Sequence, residues 1–138
     1  MITGTIGTSL AGMTAFLSYF GTSVLLVMLF LVVYGRVTPY KEFALIAEGN
    51  LAASLSYGGA LLGFAFPLSS AISHSVSLVD MVIWGIVALV VQILTFLVVR
   101  LSIPRIVSDI PANKVAAGCF LGIVSVATGM INAACMTY

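Results

Sequence analysis

Polar side chains inside the apolar stretches of this sequence are the first candidates for chemistry. Gln92 lies near the middle of one apolar run, and Asn132 lies in the last one. An amide that faced lipid directly would be costly, so each should face another helix or a cavity. Two interpretations stay open for both residues: they join helices by hydrogen bonds, or they line a pore and contact a solute.

A second candidate site is a polar patch at one end of the molecule, near a proline. Pro67 should kink its helix because it frees the carbonyl group of Gly63. A kink beside serines either forms part of a binding site, as in transporters, or is helix geometry alone. The predicted members of the patch are Ser69, Ser70, His74, Asp80 and Asn132.

The sequence contains few of the residue combinations that enzymes and metal sites need. His74 is the only histidine, and Asp80 alone would not complete a metal site. Glu42 and Glu48 should offset nearby basic residues, and the sequence has neither a glycine-rich phosphate loop nor a supported Ser/His/Asp arrangement. We therefore expect no enzyme, no cofactor and no bound metal.

Composition places these residues in a membrane. Of 138 residues, 62% are hydrophobic and only 7% are charged, whereas a soluble domain carries about 25% charged residues. Only helices or closed barrels can span lipid, and long unbroken apolar runs favour helices. The length allows one transmembrane domain, residues 1–138, and a net charge of +1 gives no case for a nucleic-acid partner.

The predicted fold is an all-α membrane protein with four transmembrane helices. Residues 1–14 lack the basic start of a signal peptide, so helix 1 should be retained. A short helix between helices 1 and 2, capped by Thr38 and closed by Gly49, should lie in the membrane interface. Helices 1 to 4 are predicted at about residues 15–34, 51–73, 81–101 and 115–136.

Three polar residues should mark where the later helices begin. Asn50 should cap helix 2 and Asn113 should cap helix 4. Asp80 should be the cap or a first-turn residue of helix 3. Cys119 and Cys135 would lie about 24 Å apart on one helix, which excludes a disulfide between them within one chain.

The basic residues indicate the orientation in the membrane. All of them fall in the connectors between helices 1 and 2 or between helices 3 and 4, which predicts that these connectors are cytoplasmic. Both termini should then lie outside the cytoplasm. The five basic residues are Arg36, Lys41, Arg100, Arg105 and Lys114.

The two halves of the chain resemble each other at a constant offset. Arg36 matches Arg100, and Ala52-Ala53 matches Ala116-Ala117. We therefore predict two parallel two-helix repeats, about 15–74 and 79–138, related by an axis along the membrane normal.

Small residues predict how the helices pack, since they allow helices to approach closely in lipid. Helices 2 and 4 should form the centre, with helices 1 and 3 outside. Because helix 4 has two small faces, we also expect a homodimer; the alternative is that both faces are used inside one protomer. The packing glycines are Gly59 and Gly63 in helix 2, and Gly118, Gly122 and Gly129 in helix 4.

Several segments resemble a known family. TPYKEF, NLAASLSYGGALLGFAFPLSSAI, VSLVDMVIWGIVALVVQ and NAACMTY are similar to segments of the "domain of unknown function 350" family, over nearly the whole chain from about Ala15 to Tyr138. The resemblance implies a four-helix bacterial inner-membrane protein made of two two-helix units, and it assigns no reaction. Genes of the family often lie near genes for phage-shock-type and polyamine-ligase-like proteins, which suggests a link to envelope stress.

Two functional hypotheses follow. The first is a non-enzymatic, dimeric structural or partner component linked to envelope stress. The second is a small channel or transporter for ions or small cationic solutes, with Gln92, Asn132 and the Pro67 kink lining the path.

Overall fold

The computed structural model describes residues 2–136, and the prediction of an all-α fold is confirmed for that part of the chain. Four of its helices are long and apolar enough to cross a membrane. The end of the predicted second repeat, and of the NAACMTY segment, lies outside the described residues. The helices are α1 (Ile2–Val37), α2 (Glu42–Ala47), α3 (Leu51–His74), α4 (Leu78–Ser102), α5 (Ile106–Asp109) and α6 (Val115–Cys135).

Helix α1 begins at Ile2, well before the predicted start near residue 15. The hydroxyl groups in this stretch explain the difference, because they donate to carbonyl groups one turn earlier and so remain compatible with a helix. Thr8 donates to the carbonyl of Gly4 at 2.8 Å, and Thr14 donates to that of Leu10 at 3.1 Å. A small, polar stretch was therefore misread as the residues that precede the helix.

The order of elements is long, short, long in each half: α1, α2, α3 and then α4, α5, α6. Helix α2 is the short helix expected after helix 1, and Gly49 ends it with a φ of 86° that favours glycine. The duplication of the two halves and the position of α2 in the membrane interface stay predictions.

Two of the predicted helix caps are wrong. The Thr38 hydroxyl does not cap α2, whose N-cap residue is Lys41 without a side-chain hydrogen bond. Asn113 does not cap α6, whose N-cap residue is Lys114. Instead, the Asn113 side-chain oxygen accepts from the backbone N–H of Ala52, at the start of α3, at 3.1 Å.

Asn50 caps α3 as predicted and also joins the two connectors. Its side-chain oxygen accepts from the N–H of Ala53 at 2.8 Å. Its amide nitrogen donates to the carbonyls of Ile110 and Pro111, at 3.0 and 3.2 Å. Asn50 and Asn113 thus hold the two connectors that carry the basic residues against each other.

Helix α4 begins at Leu78, and Ser77 is its cap. The Ser77 hydroxyl oxygen accepts from the N–H of Asp80, while the Asp80 carboxylate accepts from the N–H of Val76, each at 3.2 Å. Asp80 is therefore a first-turn residue of helix 3, one of the two positions expected for it, in an arrangement like a capping box.

Helix α3 is the centre of the bundle, and its main partner is α6. The two backbones touch: a methyl group on Gly59 would lie 2.6 Å from the carbonyl oxygen of Gly122. One on Gly129 would lie 2.5 Å from the Cα of Gly63, and one on Gly118 would lie 2.6 Å from the Cα of Ala52. All five glycines singled out in the sequence therefore lie in one interface inside the protomer, which we call the glycine seam.

An aromatic cluster attaches α1 to α3 and α4. The rings of Phe30 and Phe64 stack with centroids 4.6 Å apart. Tyr34 meets Phe96 of α4 edge-on at 5.9 Å and Tyr57 of α3 at 6.1 Å. These contacts all involve the C-terminal half of α1, where its three buried residues lie. The N-terminal half of α1 remains exposed.

Candidate functional site

The middle of the bundle holds one hydrogen-bonded amide. Gln92 of α4 is completely buried, and its side-chain nitrogen donates to the backbone carbonyl of Ser125 in α6 at 3.1 Å. Gly63 makes room for this amide, since a methyl group there would lie 2.6 Å from the Gln92 nitrogen. Gln92 therefore faces a neighbouring helix, and its bond joins α4 to the glycine seam.

The side-chain oxygen of Gln92 and the hydroxyl of Tyr34 are buried without a hydrogen-bond partner among the described residues. The Tyr34 side chain lies beside Ser125 without the geometry of a hydrogen bond, and the Ser125 hydroxyl donates to the carbonyl of Leu121 at 2.8 Å. An unpaired acceptor and an unpaired donor, both buried, are the features of the bundle's interior that could hold a small polar species.

A buried carboxyl group lies at the end of the bundle that carries the basic residues. Glu42 is only 3% exposed and accepts a hydrogen bond from the Thr38 hydroxyl. Burial raises the pKa of the Glu42 carboxyl above its ordinary value, and the Thr38 bond offsets part of that rise. The expectation that Glu42 offsets a nearby basic residue is therefore wrong. In the described chain the ion pair joins Lys114 to Asp109 at 3.2 Å.

Tyr40 lies close to this carboxyl group. Burial, and then the neighbouring Glu42, raise the pKa of the Tyr40 hydroxyl, while Ser56 and Arg100 act in the opposite direction. Beside Glu42 opens a cleft of about 430 Å³, whose walls include Leu31, Phe43 and Tyr57.

Sequence reasoning missed the buried carboxyl group of Glu42 because Glu42 belongs to a short connector, where charged residues are normally solvated. The hint was the spacing of Thr38 and Glu42, four residues apart.

Two of the five predicted patch residues, Asp80 and His74, make hydrogen bonds within their own segment of the chain. The Asp80 bond is local, and the His74 ring contacts the backbone carbonyl of Ser70, one turn earlier, at 3.0 Å. Asn132 is half-buried, with its amide nitrogen unpaired within the described chain. Ser69 is exposed, Ser70 is half-buried, and Pro67 is buried inside α3, which continues as a helix to His74. The patch and the kink stay predictions.

Beside the glycine seam lies an open apolar groove of about 740 Å³. Its walls come from α3 and α6 and include Gly58, Leu62, Cys119, Ile123 and Ala127.

Cys119 and Cys135 are free thiols. Between residues 2 and 136, no three His, Cys, Asp or Glu side chains come close enough to hold a metal ion.

All five basic residues are exposed, and they lie in or beside the connectors that Asn50 and Asn113 join. The charge asymmetry of the sequence is therefore an asymmetry of the molecule, with the positive charge gathered at one end of the bundle.

The model of the family described as Domain of Unknown Function (DUF350) matches residues 8–136. This chain belongs to the DUF350 family. It is 45% identical to "UPF0719 inner membrane protein YjfL" of Escherichia coli (strain K12), over 94% of this chain and 98% of the relative. It is 33% identical to "UPF0719 transmembrane protein YshE" of Bacillus subtilis (strain 168), over 85% of this chain and 89% of the relative. No solved structure matches it.

The relatives and the four long apolar helices agree on the setting of this DUF350 protein. It is an integral membrane protein, and a lipid bilayer surrounds its helices. The resemblance of the sequence segments to this family is confirmed.

Proposed function

We propose that this DUF350 protein is a non-enzymatic component of the bacterial inner membrane that acts as a homodimeric structural or partner protein linked to envelope stress. The observation that carries the proposal is the filled interior. Helices α3 and α6 touch backbone to backbone, and large side chains such as Phe30, Phe64 and Phe96 are completely buried around them. A core packed in this way suits a rigid component better than a conduit.

The polar groups of the interior also favour a role without catalysis. Gln92 lies midway along α4, whereas Glu42 belongs to the connector after α1. General acid–base catalysis needs groups within hydrogen-bond reach of one reacting atom. An amide and a carboxyl group at different levels of the bundle do not meet that need.

The inner-membrane location follows the name of the relative from Escherichia coli, and the link to envelope stress rests on the gene neighbours of the family. The homodimer requires a surface other than the glycine seam, because the seam lies inside the protomer. The packing glycines of helix 4 thus lie inside the protomer, as in the alternative to a homodimer stated for its two small faces.

Both termini are proposed to be periplasmic, because the exposed basic residues gather at the opposite end of the bundle. Cys135 is exposed at the end of α6. A membrane-impermeant maleimide added to intact cells should therefore label Cys135, with Cys135→Ser as the control. Protection of Cys135 until the cells are lysed would contradict this orientation.

A second candidate function is a small channel or transporter for ions or small cationic solutes. The unpaired oxygen of Gln92 and the unpaired hydroxyl of Tyr34 favour it, because buried polar groups in membrane spans often mark a solute path.

Flux into proteoliposomes separates the two candidates. The structural proposal predicts no protein-dependent flux of monovalent ions or small amines, for wild type as for Gln92→Leu. It also predicts that Gln92→Leu changes the free energy of unfolding by only about 1 kcal/mol, since one hydrogen bond is lost while an unpaired oxygen is removed. Thr128→Val is a matched control in α6, where the hydroxyl bonds to its own helix. Flux that Gln92→Leu abolishes and Thr128→Val preserves would replace the structural proposal by the channel.

A further inference from the structure

The N-terminal half of α1 carries an apolar stripe that its own chain does not cover. Side chains spaced four, three, four, three and four residues apart are each between 42% and 62% exposed. We call this stripe the α1 seam. Its members are Ile6, Leu10, Met13, Leu17, Phe20 and Val24.

The spacing of the α1 seam is that of the a and d positions of a heptad repeat. A strict alternation of four and three is the pattern of a helix that packs along its length against another helix. The flanking positions Gly7, Thr14 and Gly21 are small, and a methyl group on Gly7 or Gly21 would meet nothing within 4 Å. A partner helix could therefore approach closely along this side.

The length of α1 makes lipid an insufficient cover. Its 36 residues span about 54 Å, whereas the hydrocarbon core is about 30 Å thick. Even at a tilt of about 40°, the steep end of the usual range, the core covers only about 39 Å of the helix axis and leaves roughly 15 Å of the helix outside. Arg36, at the C-terminal end of α1, places this excess at the N-terminal end, where Ile6 and Leu10 would otherwise face water.

We propose that the α1 seam binds the α1 seam of a second copy of this chain, as a parallel two-stranded coiled coil. Copies inserted with the same orientation present identical seams side by side, so a two-fold interface forms with each seam meeting itself. At roughly 100 Å² of exposed surface per side chain, two seams would bury about 1,200 Å², the lower bound of the usual range for stable interfaces. The α1 seam would be the contact surface of the proposed homodimer, and in that respect the pairing rests on the proposed function.

Cysteine scanning along α1 tests this pairing. In a background with Cys119→Ser and Cys135→Ser, single cysteines replace Leu10, Met13 or Leu17 in the seam. Matched controls replace Ala11, Ala15 or Ser18, which are other positions of the same helix segment. Membranes are oxidised with copper phenanthroline, and a maleimide first verifies that each cysteine is accessible.

The expected result is at least roughly tenfold more disulfide-linked dimer for the seam positions than for the controls, because a and d positions face each other in a parallel pair. The mass of the uncross-linked protein in lipid nanodiscs distinguishes a failure of the α1 seam from a failure of the homodimer. A dimer by mass without the seam pattern would overturn the α1 seam while leaving the homodimer intact. A monomer by mass would overturn both, and cross-links to another protein in place of a second copy would overturn the seam as a self-association surface.

Discussion

Replacing Gly59 with leucine should force α3 and α6 apart and destabilise the protein by about 3 kcal/mol or more, at or beyond the upper end for overpacking. A methyl group alone would lie 2.6 Å from the carbonyl oxygen of Gly122. Backbone atoms cannot move aside as a flexible side chain can, so the helices must separate. Unfolding in mixed micelles, followed by circular dichroism while the fraction of denaturing detergent rises, measures the loss.

The neighbouring residue offers a matched control. Gly58 precedes Gly59 in the same helix, and a methyl group there would meet nothing within 4 Å. Gly58→Leu should therefore not destabilise the protein, and it should gain up to about 1 kcal/mol because leucine is a better helix former than glycine. Equal losses for the two leucine variants would mean that the contact with Gly122 does not determine the effect, because leucine is the better helix former at both positions.

Replacing Asn50 with alanine should cost about 3 kcal/mol, the second-largest effect. The change removes a helix cap worth about 1 kcal/mol and two further hydrogen bonds, each worth about 1 kcal/mol. Those two bonds join α3 to the carbonyls of Ile110 and Pro111. The same detergent titration measures the loss.

Two variants separate the roles of the Asn50 side chain. Asn50→Asp keeps the oxygen that accepts from Ala53 but loses the donor, so it should recover only the cap. Asn113→Ala removes the single side-chain bond to Ala52 and should cost roughly 1 kcal/mol. Full recovery by Asn50→Asp would show that the connection between the connectors contributes nothing to stability.

Long-range features of the fold were readable from the sequence where one physical signal dominated. Uninterrupted apolar runs are incompatible with water, so they gave the four long helices and their approximate bounds. The small residues of helices 2 and 4 indicated close approach, and the structure places Gly59 against Gly122 and Gly63 against Gly129.

Other features depend on which of two possible partners a polar group bonds to, and the local sequence pattern does not determine that partner. Asn113 lies next to the start of α6, yet its oxygen accepts from Ala52 in α3. Glu42 has basic residues nearby in sequence, yet it is buried and bonds to Thr38. Helix 1 was predicted to begin after the hydroxyl groups of the first 14 residues, yet these groups bond back into α1.

The small faces of helix 4 illustrate the same difficulty for assembly. A glycine stripe predicts close packing, but it does not say whether the partner belongs to the same chain or to another. The structure uses the stripe inside the protomer, and the surface proposed for a second copy is instead the exposed heptad of α1. The α1 seam was missed in the sequence because residues 1–14 were not assigned to a helix.

Helices α3 and α6 meet within one protomer and form its core. Leu55 of α3 and Cys119 of α6 both line the groove beside the glycine seam. A chain with Leu55→Cys, the native Cys119 and Cys135→Ser should be linked internally by a short bifunctional maleimide and keep the mass of a monomer. Two differently tagged chains, each with only one of these cysteines, should not be linked to each other when they are expressed together. Links that form only between the two chains would contradict the account.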